Sequence, residues 1–262
     1  MLVAILCVSG GLSLAMMLGW AVQWRLRNAG WVDVVWTFAT GLAGVAYAAW
    51  PADEAVGWRQ VLVGLAAATW ALRLGLHLVQ RTRQGEEDVR YAHFRKEWGA
   101  AYEPRMFGFL QIQAVAAAIL AVAMLLAARN PRPLGGLDLL AVLVIVAAIA
   151  GEGIADSQLR RFRADPGNKG KICDTGLWAR SRHPNYFFEW LGWLAYPLFA
   201  IGFDGLYSIG WAAFVAPMFM YWLLVHVSGI PPLEQQMLRS RGEAYRNYQA
   251  RTRPFLPFGK TS

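Results

Sequence analysis

Seven apolar stretches, each near the ~20 residues that a helix needs to span a bilayer, leave this chain few folds to choose from. They fall at 2–22, 31–50, 58–79, 110–127, 137–155, 186–203 and 207–228. Lipid offers a backbone N–H or C=O no partner, so only helices and closed barrels cross it, and runs this long are helices. The expected fold is therefore all-α: a polytopic membrane protein of seven transmembrane helices. It is read as a single domain over 1–262, with a C-terminal core from about 110 to 262. The first stretch has no basic run before it and is too long for a cleaved signal peptide. Composition agrees, with 16% charged residues and a mean hydropathy of +0.32, where soluble domains carry about 25% charged residues.

The basic residues have a location. Segments 23–29, 81–109, 156–184 and 229–262 hold 21 of the 25 Lys and Arg. The opposite connections carry Asp53, Glu54 and Asp204, with Arg59, Arg129 and Arg132 as the minority cations. The positive-inside rule then sets the N-terminus outside, in the periplasm, and the C-terminus in the cytoplasm. It makes this a multi-pass membrane protein with its basic loops on the cytoplasmic side. The pI near 9.8 follows from that asymmetry, and no basic face stands apart for nucleic acid. Cys7 and Cys173 fall on opposite sides and cannot pair. No metal spacing such as C-x-x-C or H-E-x-x-H occurs, so no metal site is expected.

Ionisable residues inside or beside the spans are the candidates for chemistry, because lipid penalises them unless something satisfies them. The fifth span ends Glu152, Asp156, Arg160, Arg163, spaced so that all four share one helical face. They either pair among themselves or serve a ligand. The string Ser181-Arg-His-Pro-Asn-Tyr-Phe-Phe-Glu189 follows a basic loop. Pro184 suits the first turn of a helix, and Asn185 and Glu189 share a face. Arg180, Arg182 and His183 at that helix start make an anion site, or else a snorkelling basic belt with an Asn cap.

The third span carries Trp70, Arg73 and His77, then Arg81 and Arg83. Asp33, with Trp36 and Thr37 on the second span, is the candidate partner for Arg73. The two either form a structural pair or line a substrate or cofactor cavity. His226 is expected to cap or pack. The loop Gln84-Gly-Glu-Glu-Asp-Val-Arg-Tyr91 reads equally as a solvated acid cluster. In the tail, Glu234, Arg239, Arg241 and Arg246 read equally as a solvated interfacial face. All four inward segments nevertheless bring Arg to one membrane face, a lining suited to a large, multiply anionic cofactor. No G-x-G-x-x-G and no P-loop is present. Gly41 and Gly44 lie in an apolar helix, where packing explains them.

These residues resemble the steroid 5α-reductase family, in its bacterial branch. The match is strongest over Gly151 to Glu189, in Asp156-x-x-x-Arg160-x-x-Arg163, Gly176-Leu177-Trp178 and Pro184-Asn-Tyr-Phe-Phe-Glu189. A weaker match ends at Phe255-Leu-Pro-Phe258. The resemblance implies a membrane reductase using NADPH. It implies cofactor contacts from Asp156, Arg160, Arg163, Arg180, Asn185 and Glu189, to which the anion site adds His183, and secondary ones from Arg81, Arg83, Glu152, Tyr186, Glu234 and Arg246. Relatives in animals carry a Glu on the second helix and a Tyr on the third, where this chain offers Asp33 and Trp70. Asp33, Trp36 and Arg73 are the catalytic candidates, with Asp33 as proton donor in the reduction of an α,β-unsaturated ketone. The implied partners are a steroid-like or other hydrophobic substrate and membrane lipid, with no nucleic acid. Two other readings stand beside it. The Arg-His-Pro-x-Tyr string also occurs in isoprenylcysteine carboxyl methyltransferase relatives, which use S-adenosylmethionine. The third reading is a non-enzymatic lipid-binding protein.

Overall fold

A computed structural model describes residues 1–51, 57–85 and 89–257. Asp53, Glu54, the acid cluster Glu86-Glu87-Asp88 and Phe258 lie outside the described residues. The described chain is all-helical. Its elements are α1 (Leu2–Leu26), α2 (Gly30–Ala49), α3 (Trp58–Arg83), α4 (Val89–Trp98), α5 (Tyr102–Ala128), α6 (Gly136–Ala164), α7 (Pro184–Trp193), α8 (Ala195–Ala200), α9 (Val215–Trp222) and α10 (Ile230–Arg251). Among the described residues, six helical runs are long and apolar enough to cross a membrane. They are α1, α2, α3, α6, the run ending in α5, and the run through α9. In that last run the apolar part precedes Pro231, and charge density rises after it. The protein is thus a multi-pass membrane protein in contact with lipid.

The sequence led us to expect a sixth crossing as one helix at 186–203, and this is corrected. It is broken into α7 and α8 at Leu194. Pro197 supplies the reason: it has no N–H to give the Trp193 carbonyl, and its ring collides with that carbonyl in a continuous helix. In the first turn of a new helix, the same residue costs little. The last expected crossing, 207–228, is also composite. A 3-10 segment (Ser208–Phe214) leads into α9, and a π-helical turn (Leu223–Val227) follows it. There the Ser228 N–H reaches back to the Leu223 carbonyl at 2.8 Å. Pro217, Pro231 and Pro232 set these changes of pitch by the same mechanism.

The chain packs as two units. Unit 1 comprises Met1–Val142 and Tyr196–Ala216, and unit 2 comprises Leu143–Ala195 and Pro217–Ser262. In unit 1, α1 buries Ala4, Val8, Leu12, Met16, Gly19 and Gln23, a single stripe at helical spacing. The stripe faces α5, where Ser13 donates to Gln111 Oε1 at 2.6 Å and Gln23 Nε2 to Glu103 Oε2 at 2.9 Å. Leu2, Leu6, Leu14 and Leu18 on the other side are exposed, as lipid-facing residues should be. Helices α2 and α3 touch through small residues. A Cβ on Gly41 would strike Ala71, and one on Gly44 would strike Met124 and Ala67. Without competing water to drive association, close backbone approach of this kind is what joins helices in lipid.

One end of unit 1 is locked by a buried cation. The Arg59 guanidinium meets the Asp138 carboxylate through Nε at 2.7 Å and Nη2 at 2.8 Å. It also donates to the carbonyls of Asn130 at 2.8 Å, Pro133 at 3.0 Å and Arg132. The Asn130 amide in turn donates to the carbonyls of Phe199 and Ala200 at 2.8 and 3.0 Å. A five-donor fork is the one side chain that can satisfy so many acceptors at once.

Candidate functional site

In unit 2, the long α6 presents Glu152 and Asp156, and α7 presents Asn185, Glu189 and Trp193 at successive turns. Glu152, Asp156 and Glu189 are only 5%, 7% and 7% exposed. Asn185 Nδ2 donates to Asp156 Oδ1 at 3.4 Å, and Trp193 Nε1 donates to Glu189 Oε1 at 2.9 Å. Gly151 lets the two helices close: any Cβ there would collide with the Phe188 ring. Three buried carboxylates in one helix seam are expensive to maintain, and such residues are candidates for a functional site. Arg160 and Arg163 continue the Asp156 face of α6 and are exposed, as are Arg180 and Arg246. The seam is therefore acidic within and cationic at its rim.

The start of α7 is held by a second, closed network. Arg182 grips Glu234 with Nε at 2.7 Å and Nη2 at 3.3 Å, while Nη1 donates to the Gln249 and Thr252 carbonyls. Gln249 Nε2 reaches the same carboxylate at 2.7 Å. His183 Nε2 lies 3.1 Å from Glu234 Oε1. A carboxylate can only accept, so that nitrogen carries the hydrogen. The strap after α10 then folds back. Arg182 N–H donates to the Arg253 carbonyl at 2.8 Å, Ser181 Oγ to that of Phe255 at 2.8 Å, and Ser181 pairs with Arg253 as an isolated parallel bridge. Phe255 packs among Phe187, Trp190 and Tyr221, with centroids 5.4–5.7 Å away. The tail motif is a plug that fixes α7.

This network titrates in the acid range. Burial pushes the Glu234 carboxyl up, but hydrogen bonds from His183 and Arg182 outweigh it and hold the group at about 2. Burial likewise holds the His183 imidazole below its ordinary value, against the pull of Glu234. Both folded-state values lie below those of the unfolded chain, so in each case the unfolded state takes up protons first. Stability is then complete above about pH 7. It declines as pH falls past 6.5 through His183, and again between 4.5 and about 2 through Glu234. The Glu234 limb is on the order of 2–3 kcal/mol. Thermal melts across this range should show both limbs, and Glu234→Gln should flatten the lower one.

In unit 1, Asp33 opens α2 and gathers α3, α4 and α5 around it. Its Oδ2 accepts from Arg90 Nη2 at 2.8 Å and lies 3.9 Å from Arg81 Nη2. Its Oδ1 accepts from the Tyr91 hydroxyl at 2.7 Å. Gln113 Nε2 stands 3.4 Å from the same phenol oxygen. Trp36 is used structurally, its indole N–H given to the Gln113 carbonyl at 3.2 Å and its ring set edge-on to Trp70 at 6.5 Å. Asp33 sits opposite Arg81, eight residues and so roughly 12 Å along α3 from Arg73. The Asp33–Arg73 pairing read from the sequence is replaced by one with Arg90 and Tyr91.

Comparison with known proteins decides the family. Residues 19–252 match the family described as "Protein of unknown function (DUF1295)". The chain belongs to this family. A Schizosaccharomyces pombe protein named "Uncharacterized protein C594.04c" is 27% identical, over 94% of this chain and 78% of its own length. No solved structure matches.

Within this DUF1295 protein, the predicted residues separate cleanly by unit. Asp33, Trp36, Arg73, Arg81 and Arg83 belong to unit 1, and the other predicted site residues belong to unit 2. Glu152, Asp156, Asn185 and Glu189 do share a seam. His183 and Glu234 were expected to meet a cofactor, but the structure commits them to each other and to Arg182. Tyr186 stacks on His183 at 5.6 Å. His226 sits edge-on to Tyr221 at 5.9 Å, in keeping with a packing role. Sequence reasoning missed Tyr91, placed in a solvated loop, although Tyr91, Phe94 and Trp98 fall on one face of a short helix. It also missed Trp193, one turn beyond Glu189.

Proposed function

We propose that this protein is an integral-membrane oxidoreductase that binds NADPH along the α6–α7 seam. In this reading it reduces the C=C bond of an α,β-unsaturated ketone in a steroid-like or other lipid. The observation that carries the proposal is the seam itself, where three buried carboxylates and an asparagine amide lie next to exposed arginines. That donor set suits the cofactor. A nicotinamide carboxamide both donates and accepts, as Glu189 with Asn185 require. The rim residues Arg160, Arg163, Arg180 and Arg246 have the planar fork that recognises a pyrophosphate or a 2′-phosphate. The resemblance to steroid 5α-reductases in Asp156-x-x-x-Arg160-x-x-Arg163 and Pro184–Glu189 supports the same assignment.

When bound, NADPH supplies the hydride. In unit 2 the chain's own contribution is to hold and orient the cofactor. Glu189, itself held by Trp193, and Asn185, held by Asp156, fix the seam's polar atoms. Arg182, His183 and Glu234 set the position of α7 without touching a ligand. In unit 1 the Tyr91 hydroxyl gives its hydrogen to Asp33 Oδ1 and Arg90 donates to Oδ2, so Asp33, the proton donor read from the sequence, acts there as an acceptor. The bilayer excludes water around such groups and strengthens each polar interaction.

The same reading counts seven crossings, with the N-terminus in the periplasm and the C-terminus in the cytoplasm of a bacterial inner membrane. In that count the segment 184–200, broken at Leu194, stands as one more crossing beside the six helical runs that are long and apolar enough.

The test is titration of the detergent-solubilised protein with NADPH, followed by nicotinamide fluorescence. Wild type should bind. Asn185→Ala and Glu189→Ala should each weaken binding at least ten-fold, with melting behaviour retained. Unchanged affinity in both variants would overturn the assignment. Co-purified S-adenosylmethionine would favour methyl transfer instead, and lipid as the sole bound molecule would favour a non-enzymatic role.

A further inference from the structure

Within unit 2, α6 runs for 29 residues and is therefore about 43 Å long, against the ~30 Å of a hydrocarbon core. Its charged end, with Arg160, Arg161 and Arg163, is the end that lipid expels. The chain that follows therefore turns at headgroup depth. That turn is a 3-10 segment, Pro166–Asn168, capped by Asp165. The Asp165 carboxylate accepts from the Gly167 N–H at 2.8 Å and from the Asn168 amide at 3.3 Å. Lys169, Gly170 and Lys171 come next, with Gly170 at φ 84° and both lysines exposed. A Cβ on Gly170 would lie 3.8 Å from Arg241 Nη1 of α10, so the tip of the loop and that guanidinium are neighbours.

Helix α10 bends where it meets that tip. It is pinned before the bend by Glu234 on Arg182, and after it by the Tyr248 hydroxyl, which donates to the Trp178 carbonyl. Between the pins Gly242 leaves the helix, at φ 52° and ψ −122°, and a Cβ there would meet nothing within 4 Å. Glycine takes a left-handed φ without strain. Arg241 stands exposed at the bend, two residues after the exposed Arg239. Of the described acids beside this loop and bend, Asp174 is paired with Arg251, Asp165 caps its turn, and Glu243 is exposed. Among the described residues, no carboxylate forms an ion pair with Lys169, Lys171 or Arg241.

We propose that Lys169, Lys171 and Arg241 form a binding surface for the anionic headgroup of a membrane phospholipid. Depth is the first argument, because the loop leaves the charged end of a helix that crosses the bilayer. Charge is the second: two separate stretches of chain bring uncompensated cations to one place. Each ammonium meets a phosphate oxygen as a point charge, and the Arg241 fork can take two. The third is apolar company. On the stretch of α10 before the bend, Leu233, Met237 and Leu238 are half-buried, as the acyl-facing side of an interfacial helix should be. A zwitterionic headgroup would bring its own cation against the patch, so the surface selects net-anionic lipid. None of the three cations belongs to the rim of the α6–α7 seam, and the surface stands whether or not that seam binds a dinucleotide.

Native mass spectrometry of the full chain in detergent, without cofactor, tests this directly. Wild type should hold phosphatidylglycerol about ten-fold more tightly, or better, than phosphatidylcholine of the same acyl chains. A cation at an anionic surface is worth about five-fold in affinity, so Lys169→Gln/Lys171→Gln/Arg241→Gln should lose most of that preference. Arg25→Gln/Arg27→Gln/Arg105→Gln removes the same charge from exposed positions of unit 1 and should keep it. Lys169→Gln/Lys171→Gln leaves α10 intact and should lose part of the preference; it carries the test if the triple variant melts below wild type. An unchanged preference in the unit 2 variants would overturn the proposal. So would an equal loss in the unit 1 variant, which would reduce the effect to overall charge. Inorganic phosphate, added as a competitor, should leave phosphatidylglycerol bound. Displacement by it would make this a site for a soluble anion and overturn the lipid assignment.

Discussion

Replacing Arg182 by alanine lowers the stability of the solubilised protein by about 3–5 kcal/mol, the range for breaking a buried ion pair from one side. For a chain of this size that corresponds to a melting point lower by about 10 °C. The size of the effect follows from what the guanidinium does. Its Nε and Nη2 neutralise Glu234, and its Nη1 satisfies the Gln249 and Thr252 carbonyls. With Arg182 gone, a carboxylate whose side chain is 15% exposed keeps neutral donors in Gln249 and the Tyr245 hydroxyl beside His183, and two carbonyls lose a donor. Arg182→Lys keeps the charge but loses the fork, so it should recover less than half of the loss. Glu234→Gln in the Arg182→Ala background should cost much less than it does alone, because the uncompensated charge has already been removed. A double-mutant cycle on the melting curves measures that coupling. Additive losses would show that the two residues do not act as one clamp.

The reach of the sequence differed between the two kinds of evidence it contains. Hydropathy placed α1, α2, α3, α5 and α6 well, because a helix in lipid must be apolar along a span-length run whatever its neighbours are. It failed at 186–203 and 207–228, where apolarity continues but Pro197 and Pro217 break the hydrogen-bond ladder inside the run. Helical spacing predicted that Glu152 and Asp156, or Asn185 and Glu189, share a face, since that is fixed by 3.6 residues per turn. Spacing could not show that Arg182 and His183 face inward to Glu234, 51 or 52 residues away in the chain. That contact depends on the strap after Arg251 folding back on Ser181, which is tertiary information. The Asp33 partner was missed for the same reason. Arg73 was the nearest cation on a neighbouring span, but register puts Arg81 at the level of Asp33, and the short helix α4 brings in Arg90 and Tyr91.

The second large effect is expected at Arg59, which the sequence presents only as a minority cation on the acidic side. Arg59→Ala should cost about 3–5 kcal/mol, because it strands Asp138 at 5% exposure together with the carbonyls of Asn130, Arg132 and Pro133. Asp138→Ala should be at least as damaging, because its Oδ2 also accepts from the Gly135 N–H at 2.8 Å where α6 begins. Replacing both at once separates two contributions. In Arg59→Met/Asp138→Leu, no charge is left buried, and apolar side chains of similar length fill the space. Buried ion pairs elsewhere are matched or bettered by such replacements. Here the three carbonyls and the Gly135 N–H would still lack partners, at about 1 kcal/mol or more each. The double variant should therefore recover part of the single-variant loss and stay below wild type, as read from thermal melts of all four proteins. Full recovery would mean that those backbone groups find other partners and that Arg59 matters only as the counter-ion of Asp138. No recovery would mean that the fork geometry, more than the charge, ties the ends of α3 and α6 to the chain between α5 and α6.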